Sequence, residues 1–382
     1  MPLHFTNAEY ENRRGRAQAA LQTNGYDALL MFAPESHFWI SGYDTFGFAM
    51  FQCMVLTARG DLHLVTRMPD LRQAQHTSTL SDAEIHIYHE IEGADPTADL
   101  ARLLADLGVD PTKIAYEAQT PGLTDFNGQR LRARLGKLAD GSNIIRTLRR
   151  QKSAAEIDMH RRAAALSDDA LDAAIATTQG GAFEGDILAA MQGAVFQGGG
   201  DYAGNEFIIG SGPGALLCRY FSGRRHLEPQ DQLTLEWSGA YARYHAAMMR
   251  TLVVGAVPDA QKRMQEATEE ALIACEAAIR PGAPMGDVYD AHAQVFDSRG
   301  YGHARLQACG YGMGAVYNPI WVDFPMFYEG NPTLMQTGQV FFLHMILMDS
   351  DAGLAMCLGH SVLVTDTGVE RLSRHGTGLI TC

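Results

Sequence analysis

The sequence predicts an α/β protein built from two domains. A chain of 382 residues is longer than one ordinary hydrophobic core organises. Through roughly the first 140 residues, short apolar strands alternate with amphipathic helices. The turn-forming run Asp140-Gly141-Ser142-Asn143 then leads into a long helix. These observations place one domain over residues 1–145 and a second over 146–382.

In the first domain, Asn7 reads as the N-cap of a helix. Glu9, Arg13, Ala17, Ala20 and Leu21 follow at helical spacing, and Gly25 ends it. Residues 26–32 read as a buried strand and 36–42 as a short connection. Residues 48–56 and 62–66 read as neighbouring strands around the turn Ala58-Arg59-Gly60-Asp61. A helix over 71–77, strands over 85–88 and 113–116, and an amphipathic helix over 98–107 complete it. In the second domain Ser153 and Glu156 form a capping box, and helices are expected near 155–178, 184–197, 260–279 and 285–298.

Composition excludes several functions. A formal net charge of −14 leaves no basic stripe for nucleic acid. No run of about 18 apolar residues exists to span a membrane. The first residues lack an apolar signal core, so a cytoplasmic protein is expected. The six cysteines (53, 218, 275, 309, 357 and 382) form no CxxC pair. That suits a reducing compartment and argues against a zinc ribbon or a disulfide framework. Gly210-Ser211-Gly212-Pro213-Gly214 lacks the lysine and the following helix of a phosphate loop.

The most informative stretch runs from Asp231 to Gly255. Leu233, Leu235 and Trp237 alternate with Thr234, Glu236 and Ser238, which is the period of a strand. Gly239-Ala240 reads as a turn, and 244–254 as a second strand ended by Gly255. Glu236 sits inside the first strand, where a carboxylate is costly to bury unless it is paired or used. It could instead face outward, or pair with Arg243 or Arg250.

The same stretch resembles the metal-site hairpin of the creatinase/aminopeptidase family, whose catalytic domain has the so-called pita-bread fold. Tyr244, Arg250-Thr251 and Val254-Gly255 carry that resemblance. Lys152-Ser153-Ala154-Ala155-Glu156-Ile157 and Arg280-Pro281-Gly282 with Asp287-Val288 match other family segments. The resemblance implies a creatinase-type N-terminal domain, a pita-bread catalytic domain and a homodimer. It puts the five metal-ligand positions of the family on Glu236, Ala247, Tyr311, His344 and Gly359. One carboxylate remains of four, so the two-metal centre is expected to be lost and no cofactor is expected.

Three patches also resemble the metal-independent ectoine hydrolases of this family. They are Trp39-Ile40-Ser41-Gly42-Tyr43-Asp44 with Gln52-Cys53, Arg243-Tyr244-His245, and Gly310-Tyr311-Gly312-Met313-Gly314 with Tyr317 and Trp321. The histidine that creatinase uses upstream of the hairpin aligns with Arg219. The resemblance implies a hydrolase that cleaves a C–N bond of a small zwitterionic amidine or guanidino compound. A prolyl dipeptidase and a silent binding module are the alternatives. Glu236 is expected as nucleophile, and His245 or His344 as proton carrier. Of the two, His245 is favoured, because the ectoine hydrolase pattern has it and lacks His344.

Tyr311 could donate a hydrogen bond to either histidine. A substrate carboxylate needs a cation, from Arg250, Arg243 or Arg219, and Arg250 could equally be structural. Tyr43 and Asp44, with Trp39, would close the site. Tyr317 and Trp321 would line it or serve in packing. His226, His292 and His303 read as surface or loop residues.

Overall fold

The computed structural model describes residues 3–217, 219 and 223–382, and the chain divides into two compact units between Arg149 and Arg150. The N-terminal unit runs α1 (Asn7–Thr23), β1 (Ala28–Met31), α2 (Pro34–Ser41), β2 (Cys53–Thr57), β3 (Leu62–Arg67), α3 (Met68–Thr77) and β4 (Ile85–Tyr88). It continues with α4 (Pro96–Asp106), β5 (Ile114–Tyr116), α5 (Asp125–Leu135), β6 (Ala139–Asp140) and α6 (Ser142–Leu148). Its sheet has the order β4-β3-β2-β1-β5-β6. The alternation along β1 sends Leu29 and Met31 into one core and Ala28 and Leu30 into another, so both faces of the sheet are covered.

Two local expectations are corrected here. The cap of α1 is Thr6, whose hydroxyl accepts from the Glu9 amide at 3.3 Å, rather than Asn7. Residues 36–42 are not a connection but most of α2. No residue near α2 caps it. Glu117, which is buried, accepts from the amides of Phe32 (2.8 Å) and Ala33 (2.7 Å) and from the Ser36 hydroxyl (2.5 Å). It holds the chain entering α2 without capping the first-turn amides, and a partner so distant in sequence leaves no local signal.

The C-terminal unit begins with α7 (Ala154–Thr177), α8 (Glu184–Gln197), β7 (Ile208–Ser211), β8 (Asp231–Tyr241) and β9 (Tyr244–Val254). Next come α9 (Asp259–Ala278), α10 (Gly286–Ser298), β10 (Ala308–Gly312), β11 (Asp323–Tyr328), β12 (Val340–Asp349), β13 (Leu354–Thr365), β14 (Gly368–Arg371) and β15 (Ile380–Thr381). The four long helices form where the apolar spacing predicts. The sheet has the order β11-β10-β12-β13-β9-β8-β7, with β14 beside β13 and β15 beside β9. The cysteines at 53, 275, 309, 357 and 382 are free, and Cys218 lies outside the described residues.

The hairpin departs from expectation at its turn. Gly239 and Ala240 continue β8, and the chain reverses at Ala242 and Arg243, with φ of 48° and 66°. Two residues at positive φ match the right-handed strand twist that a two-residue hairpin needs, although neither is glycine. Gly239 has another task. A Cβ there would stand 2.1 Å from the Ala163 carbonyl oxygen and 2.7 Å from the Ser167 nitrogen of α7. That contact lets Ser167 bind the hairpin three ways. Its hydroxyl accepts from the Gly239 amide at 2.6 Å and donates to the Ala246 carbonyl at 2.5 Å, and its carbonyl takes the Trp237 indole N–H at 2.9 Å. Glu156 adds a fourth tie. One oxygen caps the start of α7 at the Ser153 amide (2.9 Å), and the other accepts from the Tyr244 hydroxyl (2.7 Å).

Gly239→Ala is therefore expected to destabilise the protein by about 1–3 kcal/mol, the usual range for overpacking. Urea unfolding measures it. An unchanged midpoint would mean that α7 can move away from the hairpin without cost.

Candidate active site

Strand alternation decides which side chains share a face. Register puts Ile208, Glu236, Met249, Gly359 and His344 in one row across β7, β8, β9, β13 and β12. Next to it, Ser238 opposes Ala247, Ser361 donates to the Ala247 carbonyl at 3.0 Å and opposes Phe342, and Phe342 opposes Tyr311. All five positions assigned to metal ligands thus fall in two adjacent rows. They hold one carboxylate, one phenol and one imidazole, and Ala247 and Gly359 supply no donor atom. Among the described residues no group of three His, Cys, Asp or Glu could hold a metal ion. This donor set does not fit a pair of divalent cations, which need several carboxylates to balance their charge.

Glu236 is part-buried, and the apolar strands around it remove most of its water. That desolvation raises its pKa from 4.5 to about 7, against the opposing pull of the Arg219 charge and a hydrogen bond from Tyr311. Tyr311 is 6% exposed, and burial together with the Glu236 charge pushes its phenol well above 10. Its oxygen accepts the Trp321 indole N–H at 2.8 Å. Among the described residues Tyr311 makes no hydrogen bond to a histidine, and it is the Glu236 carboxylate that acts on its phenol. Its ring still packs 5.6 Å from that of His344, centroid to centroid.

Five histidines of this unit are buried, and four of them are 0% exposed: His160, His245, His292 and His360. His344 keeps 8%. Its Nδ1 has no hydrogen-bond partner beyond its own residue, and burial lowers its pKa to about 4. His245 is placed otherwise. It opposes Ala240, four residues along β8 from Glu236, about 13 Å away at ordinary strand rise. Its Nδ1 donates to the Arg243 carbonyl at 2.8 Å, and its Nε2 accepts from the Gly204 amide at 2.8 Å. Both ring nitrogens are therefore committed to backbone. His292 corrects a further expectation. It is no surface residue but lies between Tyr289 and Phe296 on the covered face of α10.

The arginines also separate. Arg250 follows Met249, so its side chain leaves the face opposite to Glu236. Its guanidinium donates to the carbonyls of Met249 (2.8 Å), Gly359 (2.5 Å) and Gly376 (3.4 Å), and burial lowers its pKa to about 10. It is a structural clamp, and the substrate contact expected of it is corrected on that ground. Arg243 lies at the hairpin tip with its guanidinium 5.0 Å from the Tyr317 ring centroid. Arg219 is exposed, and its charge acts on Glu236, Tyr311 and His344 together. In sequence it aligns with the histidine of creatinase, and Arg250, three residues from Ala247 on one strand, has the opposite parity to that ligand position.

Tyr43 is 1% exposed and belongs to a core of the N-terminal unit, its hydroxyl among Thr45, Gln52, Thr66 and Asp70. Asp44 of the same unit lies 3.7 Å from His4. Tyr317 and Trp321 are buried beside the β10 segment, at 4% and 1% exposure. A separate cleft of about 300 Å³ adjoins the hairpin tip, lined by Asp201, Tyr202, Asn205 and Glu206 among others.

Comparison with known proteins follows the fold. The profile of metallopeptidase family M24 matches residues 158–366, and that of the creatinase/prolidase N-terminal domain matches 13–151. The ectoine hydrolase of Halomonas elongata is 26% identical over 97% of this chain and 96% of its own. An uncharacterized hydrolase/peptidase of Sinorhizobium fredii, y4tM, is also 26% identical, over 97% of each chain. Among solved structures, the dipeptidase PepE of Mycobacterium ulcerans superposes with a TM-score of 0.86 over 99% of both chains at 23% identity.

The raised pKa of Glu236 has a consequence for stability. The folded protein holds this proton more tightly than the unfolded chain, so the contribution is full below pH 4.5 and lost as pH rises through about 7. Glu236→Gln is thus expected to raise stability at pH 8 by on the order of 2–3 kcal/mol, with the gain vanishing toward pH 4.5. Thermal unfolding across that range checks it. A gain independent of pH would contradict the desolvated carboxylate.

Proposed function

The chain belongs to metallopeptidase family M24, with a creatinase/prolidase-type N-terminal domain, and from that premise we propose a metal-independent hydrolase of C–N bonds in small amidinium or guanidinium zwitterions. One observation carries this reading. Where the family's two-metal chemistry would need several carboxylates, a single desolvated carboxylate is acted on by the Arg219 charge and the Tyr311 phenol, and His344 packs against that phenol. Such a carboxylate attracts a cationic amidinium and, freed of water, is a better nucleophile toward its electrophilic carbon. The 26% identity to an ectoine hydrolase over nearly the whole chain supports the same substrate class.

In this mechanism Glu236 attacks the amidinium carbon. The C–N bond to the departing nitrogen breaks as that nitrogen takes a proton supplied by solvent. Water then attacks the substrate carbon, breaks its bond to Glu236 and gives up a proton, which returns to solvent, so the two steps balance. His344 carries that proton, in preference to His245. It is neutral at pH 7 and retains accessible surface, whereas both nitrogens of His245 are bound to backbone. Arg219 binds the carboxylate of the substrate. The N-terminal residues Tyr43 and Asp44 remain part of the proposal as the cover of the site, with a second subunit as the partner that would bring them.

A dipeptidase is the second reading, favoured by the likeness of the fold to PepE. Ectoine turnover followed by NMR in excess EDTA separates the two. Ring opening by wild type, abolished in Glu236→Gln, is the expected result, with kcat/KM falling about tenfold per pH unit below about 7 as Glu236 protonates. Prolyl dipeptide cleavage that EDTA abolishes would reject the proposal. Arg219→Gln is expected to raise KM about 10- to 100-fold with little change in kcat, as loss of a charged hydrogen bond to a uniformly bound group should.

A further inference from the structure

The cleft of about 300 Å³ beside the hairpin tip lies away from the row of Glu236. Asp201, in its lining, donates its amide to the Ala240 carbonyl at 2.8 Å. Ala240 is four residues along β8 from Glu236, about 13 Å at ordinary strand rise. Two buried side chains, Val195 of α8 and Phe207, give the cleft an apolar floor. Two further lining rings face solvent, Tyr202 at 76% exposure and Phe196 at 42%, with centroids 4.8 Å apart at 64°. Two carboxylates complete it, the half-buried Asp201 and the exposed Glu206. One Asp201 oxygen accepts from the Arg243 amide at 3.0 Å, and among the described residues neither carboxylate has an ion pair. We propose that this cleft is a second ligand site, built for a small organic cation with an apolar body.

The ligand class follows from the walls. Aromatic faces attract a cation through the ring quadrupole, and the carboxylates attract it through charge. An anion would meet both carboxylates and a chain of net charge −14. An inorganic ion would gain nothing from Val195 and Phe207. A compound that joins a positive head to an apolar or planar body uses every wall, and the volume is that of the smaller ligand pockets. The walls are also held in place before any ligand arrives. The Gly204 amide donates to His245 Nε2 at 2.8 Å. The Asn205 side-chain oxygen accepts from the Trp321 amide at 3.2 Å, and its Nδ2 donates to the Glu206 carbonyl at 3.0 Å. With Asp201 tied to Ala240 and Arg243, the segment from Asp201 to Glu206 is anchored along its length, so binding orders little of it. None of this depends on the reaction proposed for Glu236.

Titration with 4-fluorobenzamidinium, followed by fluorine NMR of the ligand, tests the site. The full chain carrying Glu236→Gln is used, so that the carboxylate of the catalytic row is absent. Saturable binding is expected. Tyr202→Leu, which keeps apolar surface and removes the ring, should weaken it about 2- to 5-fold. Glu206→Gln should do so by a similar factor, and the two together by about tenfold. Both side chains are exposed, so the variants should unfold at the temperature of their parent, which thermal unfolding checks. Neutral 4-fluorobenzamide has the same shape without the charge and should bind about fivefold more weakly or less well still. An affinity unchanged in the Tyr202→Leu/Glu206→Gln double variant would overturn the inference. So would the amide binding as tightly as the amidinium, or no saturable binding of the amidinium at all. The expected pattern in a protein whose wild type turns over no amidine would reject the proposed function and keep the site.

Discussion

The C-terminal unit is arranged around the cost of keeping one carboxylate in an apolar sheet. Glu236 lies on β8 between Leu235 and Trp237, both 0% exposed, and its water is largely replaced by strand atoms. A carboxylate in that setting holds its proton up to about pH 7. What opposes that burial is the charge of Arg219 together with the Tyr311 phenol. Remove them and the cheaper state is a neutral acid, which attacks nothing. The strands can hold this arrangement because α7 lies flush on the back of the hairpin, where Gly239 has no side chain to keep it away.

The same register explains why the site differs from that of a dinuclear metal centre without any change of fold. Five positions in two cross-strand rows remain, but Ala247 and Gly359 supply no donor atom. Gly359 is held to that choice by packing, since a Cβ would meet the Leu343 carbonyl oxygen at 2.5 Å. Arg250, which looks like a substrate contact in sequence, secures the neighbouring strand by its carbonyls instead.

Much of this was legible in the sequence, and the rest was hidden for identifiable reasons. The long helices of the C-terminal unit announce themselves by apolar spacing and by the Ser153–Glu156 capping box. Glu236 stands out because a carboxylate interrupts an apolar strand. The hairpin turn was misplaced because Gly239-Ala240 has turn chemistry, while the glycine in fact serves helix packing. Helix α2 has no capping side chain to announce it, and Glu117, which holds the chain just before it, is distant in sequence. Between His245 and His344 the sequence pattern favours His245, and the argument for His344 comes from the partners of the ring nitrogens, which a sequence does not carry.

The central claim is that Glu236 forms a covalent bond to its substrate, and a variant slowed in the second step is the place to see it. With His344→Asn no imidazole remains to take the proton from water, so the glutamyl intermediate should outlive its formation. Acid quench of that variant during incubation with ectoine, followed by mass spectrometry of the peptide carrying Glu236, reads the bond directly. The account predicts a substrate-derived mass on Glu236 that fades as substrate is consumed. Continued slow turnover with that peptide unmodified at every time would contradict it.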